Sequence, residues 1–190
     1  HFSPTLFDFG SKFTHIQETS AGLDLRYGLE RLNALVMQIE NNSPDALIVS
    51  GDLTLNGEYQ SMVELAETFS KIERAGTEVF VIPGNHDISN PWASSFMGDQ
   101  TIRVQQILPD EFRLLFADYG YQEAIAQDPD SLSYVAELSP NWHLFMLDSN
   151  VYSATAGIYA PKSHGQLKNK TLRWLRKELS THSKSDKQGL

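Results

Sequence analysis

An apolar run, "EVFVI" over residues 78–82, stops at Pro83-Gly84 and is followed at once by an amide, an imidazole and a carboxylate: Asn85, His86 and Asp87. A second run, "ALIVS" over residues 46–50, stops in the same way at Gly51-Asp52. Oxygen and nitrogen donors without sulfur suit Mn, Fe, Zn or Ni. A carboxylate such as Asp52 can bridge two cations, and the Asn85 oxygen can ligate without adding charge. Two cations a few ångströms apart can bind and deprotonate a water and clamp a phosphoryl oxygen. A nearby His86 that does not ligate can protonate the leaving alkoxide or stabilise a charged transition state. The chain has no cysteine, which excludes thiolate catalysis, zinc-thiolate sites and a disulfide framework.

These residues need elements that deliver them to one place. Leu29, Leu32, Leu35, Val36 and Ile39 recur at helical spacing between Tyr27 and Glu40, and "NNSPD" then breaks the pattern. A second helical pattern runs from about Glu58 to Ala75, with Val63, Ala66, Phe69 and Ile72 on one face and Gly76 as a C-terminal cap. The order is helix, strand, helix, strand. Both apolar runs are continuous rather than alternating, which predicts parallel strands buried on both faces. Ligands of open parallel sheets bind at the carboxyl ends of strands, where loops converge. Asp52 and Asn85 therefore share one edge if the two strands are neighbours, and Gly51 and Gly84 let the backbone turn there. In the second half, "DEFRLLFADYG" predicts a helix, "SLSYVAEL" and "WHLFMLD" predict strands, and Leu167 to Leu179 predicts a last helix. The stretch from Pro91 to Pro109 reads as an irregular loop or short helices.

The chain of 190 residues suits one domain. Its apolar fraction of 41% and charged fraction of 21% are near globular averages and argue against disorder. No stretch approaches the roughly 20 apolar residues of a membrane helix. The net charge of −9 disfavours a nucleic-acid partner, which calls for clustered Lys and Arg. The chain opens on His1 rather than Met and closes on a polar tail, "STHSKSDKQGL", so both ends read as cut.

"SGDLTLNGE" and "PGNHDI" resemble the G-D-x-x-x-x-G and G-N-H-D blocks of the calcineurin-like metallophosphoesterase family. The later segments "SLSYVAEL", "LFMLDSN" and "GQLKNKTLRWLRKEL" resemble its bacterial branch of phosphohydrolases and cyclic-nucleotide phosphodiesterases, so the likeness covers nearly the whole chain. It implies an α/β fold of four layers, two stacked mixed sheets flanked by helices, here incomplete at both ends. It implies hydrolysis of a small phosphate ester, with diesters and nucleotides favoured, by a hydroxide activated between two divalent or mixed-valence ions of Mn, Fe or Zn. By resemblance Asp52 bridges the ions, His1 binds the first, Asn85 binds the second, and His86 faces the substrate. The family's first strand opens D-x-H. His1 matches that His, and the Asp before it is absent, as are a later His and a G-H-x-H block. With at least four ligands missing, the expectation is that this chain alone does not turn over. Relatives in this branch often carry an export signal, so a cell-envelope or exported location is an expectation from likeness alone.

Plainer readings stand beside these. His1 is the kind of residue a tag leaves behind, Asp52 the kind that caps a turn, Asn85 the kind that sits left-handed after a glycine, and His86 a candidate structural histidine. Asp52, Asn85 and His86 together at successive strand ends favour the site, and the match of "HFSPTL" to the family's first segment favours a native His1. Asp87 reads as a support that hydrogen-bonds the loop. His143 reads as a packed core histidine, and His15, His164 and His182 as solvated. Asp148 and Asn150 end a strand where they could border the cleft, with a turn role favoured, and Phe112, Phe116, Tyr119 and Tyr121 read as packing. The rival functions are a metal-poor scaffold or binding module of the same fold, and a nuclease, which calls for a basic groove.

Overall fold

A computed structural model describes residue 8 and residues 10–19, 25–151, 161–182 and 188–189. Helix α1 spans Ser11–Thr19 and helix α2 spans Gly28–Asn42. Strand β1, Ala46–Val49, is followed by helix α3, Tyr59–Arg74, and strand β2, Glu78–Val81. β1 and β2 pair in parallel, with Val49 opposite Val81. The crossover helix α3 turns Met62, Leu65, Ala66, Phe69 and Ile72 inward. It closes on Gly76, whose positive φ of 100° and amide bond to the Glu73 carbonyl fit the capping role.

The residues from Pro91 to Pro109 form more regular structure than the sequence predicts. Strands β3, Ser94–Met97, and β4, Gln100–Arg103, make an antiparallel hairpin. Few of these residues favour strands; their partners supply the order instead. The Asp8 amide donates to the Phe96 carbonyl at 3.0 Å, and α1 packs along β3 through a small cluster of Phe13, Leu25, Leu55 and Phe96. Helix α4, Pro109–Leu115, is shorter than predicted. The chain continues through a wide turn, Ala117–Tyr121, where Gly120 takes a φ of 102°. A side chain on Gly120 would lie 2.5 Å from the Tyr134 hydroxyl, so only glycine lets the turn pass beneath that ring.

Strands β5, Ala126–Gln127, β6, Tyr134–Ser139, and β7, Trp142–Met146, form a sheet that β8, Gln188–Gly189, extends in parallel beyond helix α5, Asn169–His182. The protein is thus a mixed α/β structure of helices and small sheets. The Tyr134 hydroxyl donates to the Val81 carbonyl at 3.1 Å and ties the β6 sheet to β2. Phe112, Phe116, Tyr119 and Tyr121 are all buried in the main core and meet one another edge-on or tilted, as predicted.

Two expectations need correction. β2 is buried on both faces, with Val79, Phe80 and Val81 at 2% exposure or less, but Ile48 of β1 is half exposed. A continuous apolar run does not distinguish the two cases. His182 is not simply solvated: its ring centroid lies 4.3 Å from that of buried His143. His143 itself is a core residue as predicted, and His15 and His164 are exposed.

Candidate functional site

The parallel pairing of β1 with β2 brings the two polar loops to one sheet edge. They meet backbone to backbone. Gly51, with φ of 100°, has no room for a Cβ, because one would lie 2.3 Å from the Gly84 nitrogen. A Cβ on Gly84 would lie 2.2 Å from both the Asp52 nitrogen and its Oδ1. Directly after this contact Asp52 takes a left-handed backbone, φ 53°, a conformation that aspartate tolerates better than most residues. Of the two polar residues that follow the glycines, Asp52 and not Asn85 is the left-handed one.

Asp87 locks the two loops together. Its carboxylate is fully buried and accepts four hydrogen bonds: from the Leu53 and Gly84 amides on Oδ2 at 3.0 and 2.8 Å, and from the Thr54 amide and hydroxyl on Oδ1 at 2.9 and 3.0 Å. Burial pushes this carboxyl above its ordinary range, and the donated hydrogen bonds pull the other way. Its reading as a support rather than a ligand fits this geometry, since no lone-pair direction remains for an ion.

Asp52 is exposed and Asn85 half-buried, and both line a cavity of about 320 Å³ with a mostly polar wall. Ser50, Pro83, Ser149 and Asn150 share that wall. Asn150 was read as a turn residue and does hold a turn, its Nδ2 donating to Asp148 Oδ1 at 2.8 Å. The same Nδ2 donates to the Pro83 carbonyl at 2.7 Å, which joins the end of β7 to the loop bearing Asn85. The one signal in the sequence was its position just after an apolar strand, the same signal that marked Asp52.

His86 is joined to Asp52 through its backbone, the His86 amide donating to Asp52 Oδ1 at 3.3 Å. Its ring is not part of the cavity wall given by Asp52 and Asn85. Nδ1 lies 2.9 Å from the Leu55 carbonyl. A carbonyl can only accept, so Nδ1 carries the hydrogen and, in the neutral ring, Nε2 carries the lone pair. His1 lies outside the described residues.

Asp52 and Asn85 offer two hard oxygen donors to one polar cavity, and the glycine pair lets the loops bring them close. That donor set suits a divalent first-row cation as part of its ligand sphere. Among the described residues no three His, Asp or Glu side chains converge as they would to hold an ion unaided. No helix among them is long and apolar enough to cross a membrane.

The sequence pattern of the calcineurin-like phosphoesterase family matches residues 15–185. Among curated proteins, none matches the chain.

Proposed function

The chain belongs to the calcineurin-like phosphoesterase family, a class of metal-dependent phosphoester hydrolases, and from that premise we propose that it hydrolyses small phosphodiesters at the Asp52–Asn85 cavity. The observation that carries this reading is the shared cavity of an exposed carboxylate and an amide at the joined ends of two parallel strands. Asp52 would bridge two cations, His1 would bind the first and Asn85 the second. Divalent ions held there supply a strong nucleophile at neutral pH and neutralise charge on the phosphoryl oxygens. Asp87 keeps the two loops in register, so the donors are in place before substrate arrives. His86, its Nδ1–H on the Leu55 carbonyl, would act from beside the cavity through Nε2, which can give a proton to the leaving oxygen only when the ring is protonated. The preference for diesters rests on likeness alone, to a bacterial branch that holds both phosphohydrolases and cyclic-nucleotide phosphodiesterases.

On the proposal that the chain is part of a longer gene product, the test compares the two. Both are assayed for hydrolysis of a chromogenic phosphodiester and a chromogenic monoester with added Mn²⁺, with and without chelator. Chelator-sensitive turnover of the diester, faster than of the monoester, is expected from the full-length product. No turnover from either protein with Mn²⁺, Fe²⁺ or Zn²⁺ would move the reading to a binding module of the same fold.

A further inference from the structure

Glu58 is buried completely, yet nothing in the reaction uses it. Its Oε2 accepts the Asn56 amide at 3.1 Å, and its Oε1 makes no hydrogen bond among the described residues. Burial pushes the carboxyl up to about 7, with the Asp87 charge adding to the shift. The amides of Asn56, Glu58 itself and Ser94 oppose it. Keeping an acidic group in such a place costs stability, so its partner matters.

That partner belongs to the loop between β1 and α3, residues 53–57, and the loop leads to His86 by two routes. One residue before Asn56, the Leu55 carbonyl faces His86 Nδ1. The Asn56 side chain accepts from Asn90 Nδ2 at 3.3 Å, and the same Nδ2 donates to the His86 carbonyl at 3.0 Å. Segment 105–107 holds this loop and the residues after His86 in one frame. The Gln105 carbonyl accepts the Tyr59 amide, Ile107 donates to the Gly57 carbonyl, and the Ile107 carbonyl accepts the Ser89 amide. The loop is therefore pinned on both flanks, Asp87 holds its Leu53–Thr54 end, and Glu58 is the side chain that accepts the Asn56 amide.

We propose that Glu58 is a positioning residue for His86: its carboxylate fixes the Asn56 amide, and through that loop it holds the Leu55 carbonyl that selects the His86 ring tautomer. The inference rests on the reading of His86 as the group facing substrate, but its test does not need turnover. Glu58 never meets the cavity formed by Asp52 and Asn85.

The experiment uses ¹⁵N-histidine-labelled chain and long-range proton–nitrogen spectra at a pH where imidazoles are neutral, with the His86 signal assigned by loss in H86A. The wild-type ring should show one tautomer, hydrogen on Nδ1. Glu58→Gln keeps an acceptor at the same reach and should keep that signature. Glu58→Asp withdraws the acceptor by one methylene and should give a mixture of tautomers. An unchanged signature in Glu58→Asp, or its loss in Glu58→Gln, overturns the proposal. If Glu58→Asp does not fold, wild type and Glu58→Gln decide. The Asn56 amide proton and the Leu55 carbonyl carbon should share a step near neutral pH in wild type that is missing in Glu58→Gln, and its absence from wild type overturns the proposal. A hydrolysis assay that finds no activity bears only on the proposed function and leaves these signals as they are.

Discussion

Replacing Asp87 by asparagine removes one acceptor oxygen and one charge from the knot that joins the two site loops, at nearly constant volume. The wild-type carboxylate takes two donors on each oxygen. If the new amide nitrogen takes the place of Oδ2, it faces the Leu53 and Gly84 amides, and two buried donors lose their acceptor. If it takes the place of Oδ1, the Thr54 hydroxyl can turn to accept from it, which strands the Thr54 amide and leaves the rotatable hydroxyl hydrogen to find another acceptor. The second arrangement is cheaper and sets the expected cost. One stranded buried donor is worth about 1–3 kcal/mol, and the two bonds that remain fall from charge-assisted to neutral strength, about 1 kcal/mol each. Relief of carboxylate burial offsets part of this. The net expectation for Asp87→Asn is a loss of about 2–4 kcal/mol, measured by urea unfolding followed by far-ultraviolet circular dichroism. The slope against urea should not change, because the surface exposed on unfolding is the same. A change below about 0.5 kcal/mol, the size of an ordinary surface substitution, would refute the idea that this carboxylate holds the loops.

Three further outcomes are expected. Asp52→Asn should abolish Mn²⁺ binding in isothermal titration while shifting stability by no more than about 0.5 kcal/mol, since the side chain is exposed. Gly84→Ala should weaken Mn²⁺ binding about tenfold or more, because its methyl group must displace the Asp52 backbone and carboxylate. Glu58 has its pKa raised by burial from 4.5 to about 7 in the folded chain, so between those values the folded chain holds a proton there that the unfolded chain has lost. Its stability penalty is absent below about pH 4.5, grows through that window and is complete above about pH 7, so Glu58→Gln should gain on wild type by about 3 kcal/mol between those limits, read from urea melts.

The elements that deliver the site were legible because their signals are local. Helices α2 and α3 announce themselves by apolar spacing, and β2 by a run of strand formers that ends in Pro83-Gly84. Asp87 was legible as a support because it follows two polar residues that already had work. The β3–β4 hairpin was hidden: Ser94, Ser95, Gly98 and Asp99 have little strand preference, and its order comes from Asp8 and α1, many residues away in sequence. The wide turn at Ala117–Tyr121 was read as more helix because the contact that requires Gly120 comes from Tyr134 on another element. His182 was read as solvated because nothing near it in sequence reveals that His143 lies against its ring. Glu58 and Asn90 are invisible to periodicity for a different reason: a polar side chain bonded to a residue two or four positions away, Asn56 or His86, looks like any loop residue until the fold buries it. Asn150 had a usable signal, and the competing turn reading outweighed it.

The contact of Gly51 with Gly84 also bears on how this protein can change over time. Most tight contacts between two residues can be relieved by pairing a larger side chain on one side with a smaller one on the other, so a lineage has a path of two compensating steps. Here both positions already carry the smallest residue; a Cβ on Gly51 would meet only backbone, and one on Gly84 would meet the Asp52 backbone as closely as its carboxylate, so shrinking that side chain would not make room. No second substitution rescues the first. The spacing of the two donor loops is therefore closed to gradual drift, and new substrate preferences have to arise on surfaces that border the cavity from elsewhere, such as the Ser149–Asn150 turn.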